Sequence, residues 1–131
     1  MAMFDSIINE AEGKFNLGGK AGTLLSALLA LMTDRNRGGL AGFLEQFSRA
    51  GLGETASSWV GSNANTPISD EQLESALGGD TLDGLANRAG TDYKTATSAT
   101  AYMIPRVVDA LTPEGIVPQE LKGGTMQAVV A

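Results

Sequence analysis

The chain contains neither cysteine nor histidine. Without cysteine it has no disulfide bond, thiolate metal ligand or cysteine nucleophile, and without histidine it lacks the commonest metal ligand and the usual general base at neutral pH. Fifteen Asp and Glu residues are present, but no DxDxDG-like spacing gathers them into one loop that would hold magnesium or calcium. We therefore predict a protein that is not an enzyme, with no metal site, no cofactor, no catalytic residue and no small-molecule substrate.

Positive charge is also scarce, since nine Lys and Arg stand against fifteen Asp and Glu and leave a net charge of −6. The N-terminal stretch MAMFDSIINEAEGKF carries Asp5, Glu10 and Glu12 where a secretory signal would be basic. The one uncharged apolar run, residues 21–33, is shorter than the roughly twenty residues that span a bilayer. These features predict a cytoplasmic protein for which a membrane is a disfavoured partner.

The length of 131 residues fits one domain, and folding at that length buries about two thirds of the surface of the unfolded chain. Seventeen glycines against four prolines predict short helices that end at glycine. We expect an all-α fold, with a single compact domain of about six or seven short helices over residues 1–115. Its parts are amphipathic and core helices at 3–60, a polar loop at 61–67 and a three-helix unit at 69–112, and a loosely ordered tail follows at 116–131.

Apolar residues recur at helical spacing in the N-terminal half. Phe4, Ile7 and Ile8 form the stripe of a short amphipathic helix. The run 21–33 has no charge on any face, so we interpret it as a central core helix, with a membrane-surface or partner-binding helix as the alternative. Together these helices carry more apolar residues than a small core needs. The candidate interaction surface is therefore Phe4, Ile7, Ile8, Leu24 and Leu28.

Capping patterns predict where the C-terminal helices begin. Ser69 precedes a helix whose third residue, Gln72, is placed to bond back to the Ser69 amide. Asp80 is placed to cap a second helix, and either Thr91 or Asp92 is placed to cap a third. The segment 69–112 is therefore predicted to hold three capped helices.

The second and third of these helices have the pattern of a helix-turn-helix. Ala86 and Ala96 are small residues where the helices cross, and Gly90 lies in the turn. A helix that reads DNA needs basic and amide side chains, but the third helix begins YKTATSATAYMI and has Lys94 as its only cation there. Residues 69–112 hold seven acidic and three basic residues, a net charge of −4, which opposes binding to phosphates. The pattern indicates close helix packing and makes nucleic acid a disfavoured partner.

Four stretches follow one another in an order that is typical of one family: MAMFDSII, GGLAGFLEQFSRAGLGETASSWVG, PISDEQLESALGGDTLDGLANRAG and IPRVVDALTPEGIVP. In these stretches the chain resembles the YidB-like family of small bacterial proteins, most specifically at GLG…SW and ISDEQLESALG. The resemblance covers nearly the whole chain and implies an all-helical, cytoplasmic protein of one domain. It supplies no catalytic or binding residues to carry over, and it therefore bears on fold more than on function.

The expected function is that of a non-enzymatic helical interaction or self-assembly module, whose partner is a second copy or another protein. The alternatives are a nucleic-acid-binding helix-turn-helix protein and a self-contained globule whose apolar helices are all internal. Hydrolysis or transfer by Asp92 with Ser98 or Thr95 has little support, because without histidine nothing evident would activate a hydroxyl.

Overall fold

The structure, a computed structural model, describes residues 2–60 and 66–112. These residues form seven α-helices and one 3₁₀ turn, Arg35–Arg37, with no strand among them. The helices are α1 (Ala2–Phe15), α2 (Ala21–Met32), α3 (Gly39–Arg49), α4 (Gly53–Ser57), α5 (Asp70–Leu77), α6 (Gly79–Ala89) and α7 (Tyr93–Leu111). The all-α prediction is confirmed. Most of the predicted loop and the whole predicted tail, residues 61–65 and 113–131, lie outside the described residues, so the domain bounds stay a prediction.

The uncharged helix α2 lies in the middle of the N-terminal half and contacts α1, α3, α6 and α7. Six of its twelve residues are buried: Ala21, Leu24, Leu25, Ala27, Leu28 and Met32. Because neighbours on several sides cover these residues, the helix needs no charged face to stay in solution. The interpretation of this run as a core helix agrees with this burial.

An aromatic cluster joins α3 to Trp59, which follows α4. Phe43, Phe47 and Trp59 meet edge to face, with ring centroids 5.3 Å and 5.2 Å apart. Trp59 is fully buried, and its indole N–H donates to the Thr66 carbonyl oxygen at 2.8 Å. A buried tryptophan whose one donor is satisfied acts as an anchor of the core. The hydrogen bond from Trp59 to Thr66 also connects the start of the C-terminal half to the N-terminal helices.

The capping box predicted at the start of α5 is present. The Ser69 hydroxyl accepts from the Gln72 amide at 3.1 Å, and the Gln72 side chain accepts from the Ser69 amide at 3.0 Å. The third cap is Asp92, whose carboxylate accepts from the Thr95 amide at 3.0 Å. Both caps satisfy amides that a helix N-terminus leaves without a partner.

The predicted cap at Asp80 is wrong. Helix α6 begins at Gly79, and its N-cap is Gly78, which makes no side-chain cap. Gly78 has φ +89°, a conformation that glycine adopts without strain, so this single residue connects α5 to α6. Asp80 consequently lies in the first turn of α6, where its charge still complements the helix dipole.

Helix α7 is the centre of the C-terminal half. It contacts α1, α2, α5 and α6, and ten of its nineteen residues are buried. The helix continues through Pro105, which is itself buried. Packing on several sides makes α7 a core helix along most of its length.

Candidate interaction surface

The five residues predicted as an interaction surface do not form one. Phe4, Ile7, Leu24 and Leu28 are 4%, 7%, 0% and 0% exposed, and only Ile8 remains partly exposed. The apolar stripe of α1 packs on α7 and α2, and the Leu24 and Leu28 side of α2 lies inside the molecule. A periodic apolar stripe has the same appearance in sequence whether it meets its own chain or a partner, and here it meets its own chain.

The exposed surface of α2 lies on another side of the helix. Thr23, Ser26 and Ala30 are exposed there, and Leu29 and Leu31 are partly exposed. None of the residues of Ala21–Met32 carries a charge. Most exposed helix faces carry Lys, Glu, Arg or Asp. The outer face of α2 carries none of these residues, and the packing of its inner face in the core does not explain why.

A groove runs between this face and α6. Its volume is about 340 Å³, and its floor holds the buried side chains of Ala27 and Leu85. We call it the α2–α6 groove, and the residues that line it are Ala27, Ala30, Leu31, Asp34, Thr81, Gly84, Leu85 and Arg88. Small and apolar side chains make up most of this lining, and one acid and one base complete it.

The two helices that form the groove are antiparallel. Lys20, directly before α2, donates from Nζ to the carbonyl oxygen of Gly90, directly after α6, at 2.7 Å. The start of α2 therefore lies beside the end of α6. In the groove this places Arg88 toward one end and Asp34, which follows α2, toward the other.

The helix-turn-helix geometry predicted for α6 and α7 is present. Gly90 has φ +75°, and the Thr91 amide donates to the Ala86 carbonyl oxygen at 3.1 Å, which closes the end of α6. Ala86 and Ala96 are 2% and 1% exposed, as small residues at a helix crossing should be. The sequence prediction for this turn agrees with these contacts.

Part of α7 is covered by α1. Tyr102 stacks edge to face with Phe15 at 5.7 Å between centroids, and its hydroxyl donates to Glu10 at 3.0 Å. Arg106 lies 3.8 Å from the Tyr102 ring centroid and pairs with Glu10 at 3.8 Å. One of the few cations of α7 is thereby held in contacts with its own chain.

The other exposed cation of α7 has acidic neighbours. Lys94 shares a shallow pocket of about 160 Å³ with Asp70, Glu71 and Glu74 of α5. The Tyr93 hydroxyl donates to Glu74, and this hydrogen bond to a carboxylate raises the pKa of Tyr93. The outward side of the start of α7 is therefore an acidic surface, which disfavours an anionic ligand.

The carboxylate and hydroxyl groups considered for catalysis make hydrogen bonds that cap or connect helices. Asp92 caps α7, and the hydrogen bond from the Thr95 amide lowers the pKa of its carboxyl, which makes it a weaker base. Ser98 donates to Asp70 at 2.6 Å and so ties α7 to the start of α5. Asp92 and Ser98 are therefore engaged separately, and the structure records no hydrogen bond between them.

Residues 2–60 and 66–112 contain no group of three or more acidic side chains placed to hold a metal ion. Within the same residues, no helix has the length and apolar character that crossing a membrane requires.

Seven helices without strands in the described residues, with a helix-turn-helix in the C-terminal half, define a small helical protein of homeodomain-like architecture. The model of the YidB-like protein family matches residues 5–120, and the chain belongs to that family. It is 35% identical over 129 residues to the uncharacterised protein YidB of Escherichia coli K12, covering 98% of this chain and 92% of that one. It is also similar to a solved homeodomain-like protein of unknown function from Shigella flexneri, with a TM-score of 0.67 and 34% identity over 93% and 91% of the two chains. The family resemblance seen in the sequence is confirmed.

Proposed function

We propose that this protein is a non-enzymatic module that acts by binding another protein chain through the α2–α6 groove and the adjoining outer face of α2. The observation that carries the proposal is the uncharged exposed face of α2 beside a groove of about 340 Å³ lined mainly by small and apolar residues. Surfaces of this composition are typical of protein contacts, whose centres are depleted of charge. The chain would act as a helical surface for assembly and perform no chemistry on its partner.

A probe inside the groove tests this function directly. Ala30 is exposed and lines the groove, so a photo-crosslinking amino acid at that position should leave the fold intact and capture whatever chain binds there. Ser75 on α5 is the matched control, because it is also an exposed helical position and does not line the groove. We expect crosslinked adducts from position 30 and none from position 75 when each variant is expressed in its native organism.

Two results of this experiment would count against the function. Equal adducts from both positions would mean that the crosslinks report random collisions. The absence of adducts from position 30, with the probe shown to be active, would mean that no chain occupies the groove. Gly84→Glu, combined with the probe at position 30, provides a second check, because a charge added on the opposite wall of the groove should reduce the number of adducts.

A second candidate function is nucleic-acid binding. The observation that favours it is the helix-turn-helix of α6 and α7, together with the similarity to a homeodomain-like structure. Coverage of α7 by α1 and the acidic surroundings of Lys94 oppose it. We therefore place it second.

A further inference from the structure

A shallow pocket lies between α5 and the start of α7, and it shares no lining residue with the α2–α6 groove. Its volume is about 160 Å³, and we call it the α5–α7 pocket. The residues that line it are Asp70, Glu71, Glu74, Tyr93, Lys94 and Thr97. Pockets for drug-sized ligands usually measure about 300–1,000 Å³, so this one is suited to the end of a single side chain.

The lining of the α5–α7 pocket is negatively charged, since three carboxylates and one ammonium leave it a net charge of −2. The Asp70 carboxylate accepts from the Ser98 hydroxyl at 2.6 Å, and the Glu74 carboxylate accepts from the Tyr93 hydroxyl. Lys94 is exposed and makes no ion pair within residues 2–60 and 66–112. The carboxylates therefore keep lone pairs for the donors of a further cation.

Thr97 is the buried member of this lining. It is 3% exposed, and its Oγ1 atom has no hydrogen-bond partner among the described residues. Tyr93 and Thr97 are four residues apart on one face of α7, and the Thr97 hydroxyl weakly opposes the rise in the pKa of Tyr93 that Glu74 causes. It therefore lies near the Tyr93 hydroxyl without reaching hydrogen-bond geometry. A buried hydroxyl without a partner costs free energy, so a donor that reaches it through the pocket would be stabilising.

These features fit a guanidinium group. Its five N–H donors are spread over a plane, so they reach separate carboxylates and a hydroxyl at the same time. The Tyr93 ring borders the same space, and guanidinium groups stack on aromatic faces. A metal ion would need three acids grouped around one point, and the described residues contain no such group.

Negative charge extends beyond the pocket. Residues 69–112 have a net charge of −4, and Asp83 of α6 adds to the rise in the pKa of Tyr93. A single ion pair at an exposed site is weak, so the surrounding acids favour a ligand that carries several linked cations. A basic polypeptide has this property.

We propose that the α5–α7 pocket binds an arginine side chain of a basic polypeptide, with Asp70 and Glu74 as acceptors for the guanidinium and Thr97 as the buried acceptor. The site is separate from the α2–α6 groove. Either proposal can therefore fail without the other.

Fluorescence anisotropy of a fluorescein-labelled tetraarginine peptide tests the pocket on the full-length protein at about 20 mM salt, where charges are weakly screened. We expect saturable binding that weakens as salt is raised. Thr97→Val should weaken it about tenfold, because this change removes an acceptor for a charged donor and leaves the net charge unaltered. Thr100→Val is the matched control, because Thr100 is a buried threonine of α7 whose hydroxyl also has no partner and which does not line the pocket. It should bind like the wild type.

Two further comparisons separate the site from effects of packing and of net charge. Thr97→Ser keeps the hydroxyl and should bind within about twofold of the wild type. Glu74→Gln should weaken binding at least about threefold more than Glu54→Gln, which removes the same charge from an exposed position on α4. Thermal melts check the fold, and Thr97→Val should be as stable as the wild type because it removes a hydroxyl without a partner.

Four results would overturn the proposal. If Thr97→Val binds like the wild type, the hydroxyl takes no part and binding depends on charge alone. A tetralysine peptide that binds as tightly as tetraarginine contradicts the assignment to arginine. Free arginine that competes as strongly as the peptide contradicts a polypeptide ligand. Absence of binding up to about 1 mM protein contradicts the site as a whole.

Discussion

At the scale of single residues, short-range capping was predictable and longer-range capping was not. Ser69 and Gln72 are three residues apart, so their spacing alone indicated the capping box. The Glu12 carboxylate accepts from the amides of Gly19 and Ala21 at 2.9 Å and 2.8 Å, and it thereby caps α2 from the preceding helix. This contact depends on how the chain turns between α1 and α2, which sequence spacing does not determine.

The cap from Glu12 gives a prediction for stability. Glu12→Gln removes a negative charge from the N-terminus of α2 and replaces one acceptor oxygen by an amide donor that cannot accept from either N–H. We expect a loss of about 1–2 kcal/mol in the free energy of unfolding, measured by urea denaturation. Glu45→Gln is the control, because its pair with Arg49 is exposed and its loss should cost less than about 0.5 kcal/mol. Equal losses in the two variants would show that Glu12 is no cap.

At the scale of helices, the apolar pattern identified the helices but not the neighbours of each face. The stripe of α1 and the Leu24 and Leu28 side of α2 had the pattern of an interface, and both are core. Their burial depends on where α7 and α6 pack, which is a property of the tertiary structure. The exposed face that remains on α2 is uncharged but not strongly apolar, and hydrophobic periodicity therefore gave no signal for it.

Replacement of glycine by alanine should have opposite effects on stability inside a helix and in a left-handed turn. Gly13 lies inside α1, and a Cβ atom there would have no atom within 4 Å, so Gly13→Ala should stabilise the protein by about 0.5–1 kcal/mol. Gly90, in the turn between α6 and α7, has φ +75°, a conformation in which alanine is strained. We expect Gly90→Ala to destabilise the protein by about 1 kcal/mol. Thermal melts of the two variants measure both effects, and a melting temperature that rises for Gly90→Ala would contradict the left-handed turn.

At the scale of the whole molecule, the presence of a helix-turn-helix is a separate question from DNA binding, its usual function. The sequence predicted the helix-turn-helix from Ala86, Gly90 and Ala96, and the structure has that turn. It did not predict that α1 would cover part of α7 or that Glu10 would pair with Arg106, which lies 96 positions away in the chain. Contacts between the two halves of the chain therefore decide how much of the third helix of this unit is accessible.

The net charge of −6 predicts the result of a nucleic-acid binding assay. Affinity for duplex DNA depends mainly on neutralising phosphates, and the segment 69–112 has a net charge of −4. In a mobility-shift titration at about 10 mM salt, where screening is weakest, we expect no bound species at protein concentrations up to about 100 μM. Deletion of α1 would unfold part of the core, so Glu10→Gln, which removes the ion pair to Arg106 without removing α1, is the better variant. It too should not bind, because Glu71 and Glu74 still flank the start of α7. A salt-dependent shift of the wild-type protein would instead assign α7 to a nucleic-acid surface and reverse the order of the two candidate functions.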